Sequence, residues 1–356
     1  MMLTQDLHAF LRDLRALAVK IFYSGLSRYG CRRRISSFGT SLPVILFIVL
    51  FPAFSFAAEP VRIGVSSDGE LVMIAAARGF FQKAGVDVEI RNYPSGKRSL
   101  EGMFSNEVDL STPAETPLAI QSFERSDFRI IATTGLVDDE FRVLARKDRG
   151  IRLYKDLKGR RIAVQKRSAL HYFLYLILLK SGLSEKEVTL VDLPIEEQPK
   201  ALARGSVDAI VTREPYVSEA IGLLGDTLSQ FTAPVLYQKQ KCLVVPASFL
   251  EKNRAAINQI LTALSEAEVY AKNNMEQSIE IISREEKVPY RQMLDLWPRI
   301  SLRLGLDQQL ILTLEDEARW AIDSGLTTKK KTPNYLKFIN AAPLKSVRPA
   351  AVTLRQ

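Results

Sequence analysis

Arg213 is the residue whose chemistry is easiest to place. A guanidinium presents planar, paired donors that suit a carboxylate, sulfonate or phosphate, and here it follows the apolar run 207–211 and precedes Glu214, Pro215 and Tyr216. A salt bridge to Glu214 or Glu219 is the competing use of that charge. Polar residues cluster after other apolar runs in the same way: Ser66, Asp68 and Glu70; Tyr93 and Ser95; Thr112 and Glu115; Thr134; Lys166 and Ser168, with His171 one turn further on. The carboxylates Asp68, Glu70, Glu115 and Glu214 would suit a cation or a zwitterion. Tyr93 and Tyr216 could supply flat contacts and hydroxyl bonds, and Ser168 has a side chain suited to capping a helix.

Catalytic sets are poorly represented. Beyond residue 57 the chain keeps one cysteine, Cys242, and one histidine, His171, too few for a disulfide or a His/Cys zinc site. No Gly-x-Ser-x-Gly elbow presents a serine nucleophile, so hydrolysis is not expected; no cofactor is expected either, and a metal held by carboxylates alone is without support. The net charge is +9, but seven Lys/Arg and two Asp/Glu lie in 1–57, which leaves about +4 beyond it. Without a basic stripe interleaved with aromatics, nucleic-acid binding has no support. Lys329, Lys330 and Lys331 read as a solvated helix end.

The first 57 residues have the order of a secretory signal: Arg32, Arg33 and Arg34, an apolar run from Leu42 to Phe54, then Ser55, Phe56, Ala57 and Ala58. About thirteen apolar residues fall short of the roughly twenty a spanning helix needs. Cleavage is expected after Ala57, with an uncleaved anchor as the alternative. Cys31 precedes the apolar run, so no lipid anchor is expected.

From Val61 onward short apolar runs alternate with amphipathic segments, the pattern of strand and helix units in a mostly parallel sheet. Strands are expected over 61–65, 86–91, 108–110 and 129–133, with helices over 71–84, 97–105 and 116–123 between them. A second set follows: strands over 141–146, 160–164, 188–193 and 207–211, with helices over 169–180 and 195–204. A strand over 242–245 then leads into a helical region, 246–324, broken near Pro289 and Pro298. Trp297 and Trp320 fall in that region and read as packing residues. The chain therefore crosses from one lobe to the other near Arg146 and returns near Lys241. This gives an α/β protein of two lobes with two hinge crossings: 58–145 and 242–340 form lobe 1, 146–241 lobe 2, and 341–356 a flexible tail. In such sheets ligands sit beyond the carboxyl ends of strands, where helix N-termini offer free N–H groups, and the clusters named above fall there.

Between 61 and 326 the chain resembles periplasmic binding proteins of the nitrate, sulfonate and taurine type, which are related to thiamine-pyrimidine precursor binders. The resemblance rests on Arg62-Ile63-Gly64-Val65 leading to Ala77-Arg78-Gly79-Phe80-Phe81-Gln82-Lys83-Ala84-Gly85, on Val108-Asp109-Leu110, on 156–164, and on Val207-Asp208-Ala209-Ile210-Val211 with Glu214-Pro215-Tyr216. It implies a monomeric, periplasmic, type II "Venus flytrap" receptor that hands a small molecule to an ABC permease and its ATPase. It also implies that Glu115, in the stretch matching the family's third-strand turn, and His171 lie near the ligand. Alternatively, His171 packs half-buried beside Tyr172 and Tyr175. The family often has an aromatic residue where Arg213 stands, which favours an anion clamp over a stacked ring. An enzymatic branch makes a pyrimidine from its own histidine with a cysteine-rich motif, which this chain lacks. A sensor that signals through a membrane partner is the other alternative.

Overall fold

The computed structural model describes residues 59–231 and 237–355. The expected signal segment lies outside the described residues.

The chain opens with β1 (Val61–Val65), α1 (Glu70–Ala77), α2 (Phe80–Lys83), β2 (Val88–Asn92), α3 (Gly96–Phe104), β3 (Leu110–Ser111), α4 (Glu115–Gln121) and β4 (Phe128–Asp138). It crosses over into β5 (Arg142–Arg146), β6 (Arg161–Val164), α5 (Ala169–Lys180), β7 (Thr189–Asp192), α6 (Gln198–Ala203), β8 (Ala209–Thr212), α7 (Tyr216–Leu224) and β9 (Leu228–Phe231). It then returns through β10 (Gln238–Pro246) to α8 (Ala247–Lys252), α9 (Arg254–Asn273), α10 (Met275–Glu286), α11 (Tyr290–Leu296), β11 (Ile300–Gly305), α12 (Gln308–Asp323) and α13 (Ala342–Val347).

Two sheets result, ordered β11-β4-β10-β3-β1-β2 and β7-β6-β8-β5-β9. Each has a parallel set of three strands at one end, β2-β1-β3 in the first and β7-β6-β8 in the second. The strands that carry the chain between lobes join antiparallel, so the sheets are mixed rather than mostly parallel. The first core gathers Ile63, Val65, Leu110, Ile131 and Leu243, all within 1 % of full burial, and the second Val143, Ile162, Leu174 and Val211. A fully buried aliphatic side chain stabilises by about 1.5–3 kcal/mol relative to exposure, which is why the alternating runs formed strands as expected.

Several expectations need correction. The chain leaves the first sheet after Asp138, earlier than Arg146, and has rejoined it by Gln238, earlier than Lys241, since β4 and β10 pair from Asp138 and Gln238 to Phe128 and Pro246. Ladder hydrogen bonds satisfy the backbone whatever the side chains are, so both strands run on through polar residues where the apolar runs stop. The helix expected over 71–84 is two helices, because Gly79 takes a left-handed φ of +68° that glycine adopts without a steric cost. The region 246–324 also holds β11, at the sheet edge. The tail expected to be flexible packs onto the first lobe. Leu344 on α13 is fully buried, and Ala351 and Thr353 exchange backbone hydrogen bonds of 2.9 Å with Leu306. Single apolar residues anchor it there, too sparse to form a periodic pattern.

Candidate functional site

A cavity lies between the two sheets, at the helix-bearing ends of β1, β6 and β8. It is lined by Asp68, Ser95, Gly96, Lys97, Ala114 and Pro117 from the first lobe and by Gln165, Ser168, Ala169, Leu170, Ile195 and Arg213 from the second, with Phe141 and Lys239 from the crossings. Its volume is about 30 Å³, room for a water molecule or two. The lobes are thus closed on each other, and any larger ligand requires them to part. Arg213 also borders a cavity of about 250 Å³ beside Ser66, Tyr93 and Tyr216. A third cavity, of about 240 Å³, opens beyond it between Glu140, Glu214 and Gln292.

Two helices aim their N-termini at the central cavity. Ser95 caps α3, its Oγ accepting from Arg98 N–H at 3.3 Å. At α5 the hydroxyl of Ser168 instead donates back to the Gln165 carbonyl at 2.6 Å, so no side chain caps that helix. Its first N–H groups, on Ala169 and Leu170, lie at the cavity wall with the positive end of the helix dipole behind them. Arg167 supplies the turn into α5 with φ +62°, and its N–H donates to His171 Nδ1 at 3.3 Å. Gln165 Oε1 is buried in the same wall without a hydrogen-bond partner among the described residues.

The floor is a buried charge network. Lys239 and Lys241 stand two apart on β10 and so share a face. The Lys239 ammonium lies 2.6 Å from Asp68 Oδ1 and also pairs with Glu140, while Lys241 pairs with Glu70. Burial pushes the Asp68 carboxyl up, but Lys239 and Lys241 outweigh it and hold the group below its ordinary value. Burial likewise opposes the charge on Lys239, and Asp68 and Glu140 overcome it. For Glu70 burial prevails, and its carboxyl is raised despite Lys241. Arg213 spans the lobes: its guanidinium donates to the Glu214 carbonyl at 2.6 Å and to the Pro94 carbonyl at 3.1 Å, with Glu140 Oε1 3.9 Å away.

Of the expected site residues, Asp68, Ser95, Ser168 and Arg213 meet around the central cavity, and Ser66, Tyr93 and Tyr216 border its neighbour. Tyr93 reaches away, donating to Glu107 at 2.9 Å. Glu214 faces the third cavity, where its carboxylate accepts from Ser218 N–H at 3.2 Å; Arg213 bonds the Glu214 carbonyl rather than forming the salt bridge that was the competing use of its charge.

The others do not line the central cavity. Thr112 bonds the Gly64 carbonyl at 3.3 Å, Thr134 sits in β4 against Lys241 O, and Lys166 donates its backbone N–H to Asp192 at 2.9 Å. Glu70 is closed off by Lys241. Glu115 is buried under the hinge, accepting from Tyr237 and from Gln240 N–H. His171, 1 % exposed, packs edge-on to Trp320 with ring centres 5.1 Å apart, a partner the sequence reading did not name. Cys242 is fully buried and its thiol is pushed up by burial, so no thiolate chemistry reaches the cavity.

Sequence reasoning missed Lys239 and Lys97 on the cavity wall and Glu140 behind Lys239. The available signal was Gln238-Lys239-Gln240-Lys241, an alternating polar stretch leading straight into the apolar run 242–245.

Two α/β lobes with matching strand order, joined by antiparallel crossings around a cavity edged with helix N-termini, define the periplasmic-binding-protein fold. The family model described as "NMT1/THI5 like" matches residues 70–278, and the chain belongs to this family. A Bacillus subtilis (strain 168) protein named provisionally as an aliphatic sulfonates-binding protein is 30% identical over 233 residues, 63% of this chain and 69% of the relative. The taurine-binding periplasmic protein of Escherichia coli (strain K12) is 26% identical over 240 residues, covering 66% and 72%. Among solved structures, the alkanesulfonate-binding protein SsuA from Xanthomonas axonopodis pv. citri, bound to MOPS, shares the fold with a TM-score of 0.67 at 21% identity, over 84% of this chain and 100% of that one.

Proposed function

We propose that this chain is the solute-binding receptor of an ABC importer, exported to the periplasm by segment 1–57, which captures a small anionic or zwitterionic molecule between its lobes. The observation that carries this reading is the convergence of the uncapped α5 N-terminus with Arg213 on one cavity. Backbone N–H groups at a helix start and a guanidinium both favour negative charge, and both reach the cavity from the second lobe, facing Asp68, Ser95 and Lys97 of the first. Their charge would hold an anion while the hinge strands β4 and β10 let the lobes close over it. The names of the relatives, which include sulfonate and taurine binders, support the same ligand class. A permease and an ATPase are the partners such a receptor would serve, with the receptor itself monomeric.

Native mass spectrometry of protein secreted into the periplasm, followed by thermal-shift titration with alkanesulfonates, taurine and nitrate, tests the proposal. A ligand that binds only the folded form raises the melting temperature with concentration, and a mature N-terminus at Ala58 is expected. Failure of every anion to shift the melting curve would overturn the assignment and favour a sensor or partner-binding role.

A further inference from the structure

Lys239 bears on which ligands that cavity accepts. Among the described residues that line it, Asp68 is the one carboxylate. A ligand carrying an ammonium would need such an acceptor, because a buried cation without a partner is strongly disfavoured. Asp68 is already engaged: Lys239 Nζ lies 2.6 Å from its Oδ1 and reaches Glu140 on the other side. Its second oxygen lies over Gly96, where a Cβ would come within 2.7 Å of it, so glycine is what gives this carboxylate its place against α3. The lysine side chain is 3 % exposed, with the Phe141 ring centre 5.2 Å from its nitrogen.

An ammonium has three donors, and two are taken by Asp68 and Glu140. The third, with the remaining donors of Arg213 and the first N–H groups of α5, is left for an anion. The protein has thus built a cation of its own into the position where an amino-substituted ligand would put one.

We propose that Lys239 is the specificity residue of the cavity: its ammonium fills the seat between Asp68 and Glu140, so the site takes small anions without a cationic group and rejects zwitterions of the same size. This rests on the receptor reading above and narrows its ligand class.

Ethanesulfonate, 2-hydroxyethanesulfonate and taurine test it, since they differ only in ending in a methyl, a hydroxyl or an ammonium group. Calorimetric titration of the full chain at neutral pH is expected to give at least tenfold tighter binding of the first two than of taurine. In Lys239→Met the vacated carboxylates should accept the taurine ammonium, cutting that preference at least tenfold. If Lys239→Met does not fold, the double variant Lys239→Met/Glu140→Gln keeps one carboxylate for the ammonium and reads the same change. Equal binding of taurine and ethanesulfonate by the unmodified protein, or an unchanged preference in a folded variant, overturns the inference and leaves the receptor reading standing. Binding of none of the three overturns the inference, and it overturns the receptor reading as well when nitrate also fails to bind.

Discussion

Tyr237 donates its hydroxyl to Glu115 Oε1 at 2.9 Å, tying the residue that leads into β10 to the first turn of α4. Thr116 extends the link, donating to Glu317 on α12 at 2.6 Å. Two carboxyls are thereby buried together beside the hinge. Burial pushes Glu115 up to about 8 and raises Glu317 in the same direction. Between the ordinary carboxylate range and pH 8 the folded chain therefore holds a proton that the unfolded chain has released. Stability is fully present below that range and is lost as pH rises through it, by up to about 1.4 kcal/mol per pH unit for each proton. Melting temperatures measured from pH 5 to 8.5 should fall with rising pH. Glu115→Gln, which keeps the shape of the neutral acid, should flatten part of that slope, and identical slopes would remove Glu115 as the group responsible.

Trp320 is 2 % exposed and meets His171, Tyr172 and Tyr175 of the other lobe at ring-centre distances of 5.1, 5.1 and 5.9 Å. Truncating a buried aromatic of this size costs about 3–5 kcal/mol. Trp320→Ala should lower stability to urea by that amount and increase the radius of gyration in solution scattering, because α5 and α12 lose their shared face. A loss below about 1 kcal/mol would mean that this contact does not hold the lobes together.

The division between what the residues disclosed and what they hid follows sequence distance. Val61–Val65, the loop carrying Asp68 and the helix beginning at Ala169 were readable because strand alternation and helix starts are local. Lys239 was not, since its burial depends on Asp68 and Glu140, 171 and 99 positions away, and nothing in Gln238-Lys239-Gln240-Lys241 announces those partners. His171 was visible as a singular residue, yet only the packing of α12 against α5 turned it toward Trp320 and into the support of the Arg167 turn. The ordered tail was missed for the same reason: Leu306 and Ala351 pair across 45 residues without any repeating pattern.

Arg213 joins β8 of one lobe to the Pro94 carbonyl of the other and lines the central cavity. Arg213→Ala should weaken binding of an anionic ligand at least tenfold, about 1.4 kcal/mol, when measured by calorimetry. Arg213→Lys should recover only part of the loss, because an ammonium cannot reproduce the paired geometry of the guanidinium. Unchanged affinity in the alanine variant would remove Arg213 from the site.

The uncapped start of α5 permits a test that alters a backbone donor and leaves the side chains around it in place. Ala169 is the first helical residue after Ser168, a position where proline is tolerated because its missing N–H would have no partner within the helix. Ser168 already has φ −127° and ψ 173°, within the extended region that a residue before proline requires. Ala169→Pro should therefore keep the helix content and shift the melting temperature little. It deletes one N–H at the cavity wall, and a hydrogen bond to a charged group contributes about 1.5–3 kcal/mol. Anion affinity should fall by roughly ten- to a hundredfold, with circular dichroism unchanged. A folded Ala169→Pro protein that binds as tightly as the original would show that the helix N-terminus does not hold the ligand, and would leave Arg213 and Lys239 to do so.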